Sequence, residues 1–164
     1  MSKKKIHHCK WNRVPKNAPD ADIAYGVIAS IKKRRGGVTP QLLVIESKRK
    51  SSPLHNCFEW DDSKAAEEYR IVQAREILRF LIVEIEPEEE YEDPQFVRAF
   101  VAPSSVEKEG NTSYVTIEEV CGDEELEAAY LRQLKRELNS IKNRIKGFKE
   151  FSEVVKAIDA VRLS

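Results

Sequence analysis

The densest group of reactive side chains lies in the run SPLHNCFEWDDSKAAEEYR, where His55, Cys57, Glu59, Asp61 and Asp62 fall within eight residues. Three chemistries are open to such a set. Joined by His7, His8 and Cys9, the His/Cys pairs could supply zinc ligands. Structural zinc takes tetrahedral N and S ligands, normally as two spaced pairs. Here HHC is contiguous and HNC has a single intervening residue, so the ligands do not converge without backbone strain. Neither a metal nor any other cofactor is expected. A Cys57 nucleophile would need His55, or another His, held as its base. Nothing in the run orients such a base, and no Gly-rich oxyanion turn accompanies it. Glu59, Asp61 and Asp62 could serve acid–base work, but three acids ahead of a helix suit capping better. No catalytic residue is assigned, and a non-enzymatic role is expected.

The same residues can fasten structure. Leu54, Phe58 and Trp60 are expected in the core and His55 in a local hydrogen bond. Asp61 or Asp62 is expected to cap the next helix, with Trp60 as the hydrophobic staple beside the cap. That next helix, SKAAEEYRIVQAREILRFL, is dense in helix-favouring residues. Its apolar positions wrap most of its circumference, so it reads as a central helix buried on several sides.

The other elements follow from periodicity and punctuation. Asp20 or Asp22 can cap a helix through IAYGVIASIKKRR, whose apolar face is Ile23, Val27, Ile28 and Ile31. Gly36 and Gly37 end it. Thr39 as cap and Pro40 at the first position open a short second helix. Together they read as a helix-turn-helix-like unit. The stretches FLIVEI, FVRAFVAP and TSYVTIEEV alternate and suggest three strands of a small antiparallel sheet. From Asp123 onward, Leu126, Tyr130, Leu131, Leu134, Leu138, Ile141 and Ile145 recur at helical spacing. Gly147 separates a second helix, giving a C-terminal helical pair suited to self-association. The expected fold class is α+β. A basic flexible arm spans residues 1–19, an α+β core 20–121, and a helical hairpin 122–164.

The 164 residues have a formal net charge of zero, but the charge is segregated. Residues 1–50 carry 13 lysines and arginines against 3 acids; residues 51–125 carry 6 against 20. Such asymmetry points to a basic region facing nucleic acid or a partner. RRGGVTP holds no phosphate-loop signature. If the basic half meets duplex DNA, Lys32, Lys33, Arg34, Arg35, Lys48, Arg49 and Lys50 would contact phosphate. Base reading would fall to Thr39, Gln41 and Glu46 near the second helix, with Gln41 the best suited. The competing expectation is that this basic face pairs with the acidic 84–93 loop of the same molecule. Three widely spaced cysteines are read as reduced thiols of a cytosolic protein. No apolar run approaches a membrane span, so no membrane association is expected.

SPLHNCFEWDDSKAAEEYRIVQAREILR, with TPQLLV before it, resembles a family of small, mostly uncharacterised tailed-bacteriophage and prophage proteins. The matching positions are residues 52–55, 58–62, 65–66, 69–70 and 73–75; YVTIEEV and the Leu-rich C-terminal helices are also similar. LLVIESKRKSS is more basic than the family pattern. The resemblance implies a phage or prophage setting in the cytoplasm of a bacterial host cell, and carries no catalytic residue across. The leading expectation is a non-enzymatic, DNA-associated phage protein that self-associates through its C-terminal helices. The alternative is an assembly factor binding a phage or host protein through its acidic middle or C-terminal helices.

Overall fold

A computed structural model describes residues 6–62, 66–85, 95–104 and 112–161. The first helix, α1 (Ala21–Arg35), starts where the Asp20 carboxylate accepts the Asp22 amide at 2.9 Å. This satisfies one of the amides a helix start leaves free. Buried Ala21, Ala24, Ile28 and Ile31 form its inner stripe. Ile23, expected in that stripe, is 51% exposed. The stripe advances by three and four, and Ile23 lies two residues from Ala21, on the far side of the helix. Gly36 ends α1 at φ 73°, a conformation that a Cβ disfavours. Then α2 (Pro40–Ser47) begins, with Thr39 Oγ1 accepting the Leu42 amide at 3.1 Å. The two helices and their glycine turn make the expected helix-turn-helix-like unit.

The third helix, α3 (Glu67–Phe80), buries Ala74, Ile77 and Leu78 completely but leaves Tyr69 and Val72 exposed. It is central to the core through one face, not covered on several sides. Its broad apolar circumference counted Tyr69 and Val72, which here face outward.

The expected flexible arm is a strand over part of its length. Strand β1 (Ile6–Trp11) pairs antiparallel with β2 (Leu81–Ile85), and β2 with β3 (Gln95–Arg98), giving the order β1-β2-β3. The Trp11 indole donates to the Pro19 carbonyl at 2.8 Å. The Asp22 carboxylate accepts the Cys9 amide at 2.8 Å and pairs with His8 at 2.9 Å. Asp22 therefore ties the strand to α1, leaving the cap to Asp20.

FVRAFVAP, expected as one strand, divides at Ala99. The Ala99 amide donates to Leu81 and its carbonyl accepts from Ile117, so the chain passes from one sheet to another. Beyond it, β4 (Phe100–Val101) pairs with β5 (Val115–Thr116). YVTIEEV keeps only two strand residues because Thr116 and Glu119 form a capping box that starts α4 (Ile117–Gly122). Asp123 then caps α5 (Glu124–Ile145), and α6 (Ser152–Ala160) returns after the Gly147 break.

One core gathers Cys9, α1, α2, α3, β2 and the Ala99–Phe100 junction. A smaller cluster of Val101, Val115 and Val120, with Leu126 and Tyr130 packed on it, anchors the base of α5. Among the described residues no helix is long and apolar enough to cross a membrane.

Candidate functional site

The aromatic run wraps its own residues. After α2 the chain makes a single 3-10 turn, His55–Cys57, with Leu54 buried before it and Phe58 buried after it. His55 Nδ1 lies 3.0 Å from the Ser47 carbonyl, which binds the turn to the end of α2. The Trp60 indole stacks on the His55 ring at 5.2 Å and 13°, and its N–H donates to the His55 carbonyl at 2.8 Å. The Arg70 guanidinium lies 5.5 Å from the Trp60 ring centroid. Arg70 Nε also donates to the Glu59 carbonyl at 2.8 Å, and its Nη2 pairs with Asp62. The Glu59 amide donates to Gln73 Oε1 at 3.3 Å. The histidine, phenylalanine, tryptophan, arginine and glutamine of the run thus bind the 52–62 segment to α2 and α3.

The twin aspartates do not cap α3. Its N-cap is Ala66, with no side-chain cap bond. The helix begins too far along the chain for Asp61 or Asp62 to reach its first amides, and Asp62 is used by Arg70 instead. Trp60, stacked on His55, is likewise not a staple beside a cap. Both aspartates are exposed.

Beside this fastening lies a cleft of about 660 Å³, lined in part by Lys16, Asn17, Asn56, Cys57, Glu59 and Tyr69. Asn17 takes φ 54°, and its carbonyl accepts a weak bond from the Cys57 thiol at 3.9 Å. Burial pushes the Cys57 thiol up to about 11, so it is protonated at neutral pH and poor as a nucleophile. Among the described residues, no group of three or more His, Cys, Asp or Glu gathers as metal ligands would.

The cations divide into two sets. Lys32 pairs with Glu119, and burial holds its ammonium below the ordinary lysine range. Arg34 donates to Glu46 at 3.1 Å and Arg35 at 2.6 Å. Those bonds, that of Arg35 foremost, hold the Glu46 carboxyl below its usual range. By contrast Lys33, Lys48, Arg49 and Lys50 are exposed, with no carboxylate partner among the described residues. The positions expected to read bases are taken up inside the fold. Thr39 caps α2, Glu46 holds two arginines, and Gln41 Oε1 is shut away from solvent with no hydrogen-bond partner. The acidic residues 86–94 and Lys3, Lys4 and Lys5 lie outside the described residues. Among the described residues, the carboxylates that the basic cluster meets are Glu46 and Glu119.

Among the described residues the C-terminal pair is sparsely covered. From residue 124 to residue 161 only Ile158 is buried. Leu131, Ile141, Phe148, Phe151 and Val154 are exposed, and Phe148 meets Phe151 edge-on at 6.5 Å. Lys135 Nζ donates to the carbonyls of Ile158 and Val161 at 2.8 and 2.7 Å, and Lys142 to Asp159 at 2.6 Å. These contacts set α6 against the later turns of α5. Apolar spacing signalled the helices; only the fold shows how little of them the other described residues cover.

No protein-family model, curated protein or solved structure matches the chain.

Proposed function

We propose that the protein is a non-enzymatic interaction factor that presents its C-terminal helical pair, α5 and α6, to a protein partner. The observation that carries this reading is the burial of a single residue, Ile158, across 38 positions. Monomers rarely leave aromatic and aliphatic side chains so grouped without a use for them. The phage resemblance of residues 52–75 is the reason for setting this role in the bacterial cytoplasm, with a phage or host protein as partner. The test is capture from nuclease-treated lysate of infected cells by the full chain. Partners retained by the parent and lost from Phe148→Glu/Phe151→Glu support the proposal. Equal capture by both discards it.

A second reading, association with duplex DNA, draws support from Lys33, Lys48, Arg49 and Lys50, which are exposed near the ends of α1 and α2 and meet no carboxylate among the described residues. Four phosphate contacts would give a log–log salt slope of about −4. The triple change Lys48→Ala/Arg49→Ala/Lys50→Ala should reduce that slope by about 3 units. Changing Lys32, Arg34 and Arg35 should matter less, because their charges are answered within the chain. Absence of binding at low salt removes this reading.

A further inference from the structure

We infer that the partner of the helical pair is a second copy of this chain, with the two α5 helices side by side and antiparallel. The inference rests on the interaction reading above and names its partner.

The first support is the spacing on α5. Leu131, Leu134, Leu138, Ile141 and Ile145 advance by three, four, three and four, the period of a seam between two long helices. In this chain α6 has nine residues against the 22 of α5, and Leu134, Leu138 and Ile145 are half-buried. Leu131 and Ile141, near the two ends of the seam, are each left 39% exposed.

The second support is charge. The root of α5 is acidic, with Asp123, Glu124, Glu125 and Glu127, while its far end and the following turn carry Arg144, Lys146 and Lys149. Antiparallel helices that oppose Leu131 with Ile141 also oppose Leu134 with Leu138. The same register sets residues 123–127 of one copy against residues 145–149 of the other. Each acidic root then faces a basic end, twice over by the two-fold axis. A parallel pair would stack acid on acid and base on base. Opposite charges at both ends select orientation more than they add affinity.

The experiment uses the full chain in sedimentation equilibrium, with circular dichroism of every variant to confirm the fold. The parent should sediment at twice the chain mass at micromolar concentration. Leu131→Glu/Ile141→Glu should sediment as a monomer. A root variant, Glu124→Lys/Glu125→Lys/Glu127→Lys, and an end variant, Arg144→Glu/Lys146→Glu/Lys149→Glu, should each weaken the dimer by about tenfold or more. Both sets in one chain should restore it, because the antiparallel pairing is then complementary again. A dimer not restored by the combined set, or unmoved by either set alone, overturns the inference. So does a parent that stays monomeric at 100 µM or so. If that monomer still captures another protein through Phe148 and Phe151, the interaction role stands and only the self-pairing falls.

Discussion

Replacing Trp60 with alanine tests whether the aromatic run is a fastening. The change removes the stack on His55, the 5.6 Å contact with Phe58, the indole hydrogen bond and the Arg70 contact. Aromatic pairs contribute about 0.5–1.5 kcal/mol beyond burial. The Arg70 side chain is only 12% exposed, so its cation–π contact adds about 1–2 kcal/mol, and a hydrogen bond adds about 0.5–1.5 kcal/mol. Trp60 is half-buried, so its area term lies below the roughly 3–5 kcal/mol of a fully enclosed Trp→Ala change. These terms overlap, and a total loss of about 3 kcal/mol is expected. For a chain of this length that lowers Tm by about 6–12 °C. Urea unfolding followed by far-UV circular dichroism reads it directly, at unchanged slope. A loss under about 0.5 kcal/mol, no more than a typical surface substitution shows, would mean that Trp60 does not fasten the segment. If such a variant also lost a binding partner, the run would be a working site and not a fastening.

Asp22 should govern part of the acid limb. The Cys9 backbone amide, foremost, holds its carboxyl below the usual range. Its contribution is therefore complete above the unfolded carboxyl pKa and disappears as pH falls through the lower folded one. Asp22→Asn should flatten the stability profile below about pH 4 while changing its shape little near neutrality. Burial, chiefly, pushes the Cys9 thiol up to about 12 and that of Cys57 to about 11. At pH 8 both should resist iodoacetamide in the native protein and react in urea, as peptide mapping by mass spectrometry would show. Gly36→Ala forces a Cβ into left-handed backbone and should cost about 1–2 kcal/mol, measured by the same urea titration.

Local signals were the legible ones. Asp20, Thr39, Pro40, Gly36 and Asp123 act on amides or dihedrals within a few residues, so their identity alone placed four helix boundaries. Strand β1 was less visible because IHHCKW is polar. The signal was there in Cys9 and Trp11 turning inward between exposed His8 and Lys10, but pairing with β2, some seventy residues away, is what makes it a strand. Charge was visible without its partners. Lys32 meets Glu119 across 87 residues of chain, and no count of lysines reveals which are answered. The twin aspartates misled for a related reason: they preceded a helix in sequence, but that helix begins only at Glu67, and Asp62 was needed by Arg70.

Glu119 does two jobs with one carboxylate. It accepts the Thr116 amide at 3.0 Å to close the first turn of α4, and it holds Lys32 at the end of α1. Unwinding that single turn would release Lys32 at the end of α1. The freedom of the Lys32 charge is thereby made conditional on the integrity of a six-residue helix that α1 does not adjoin in sequence.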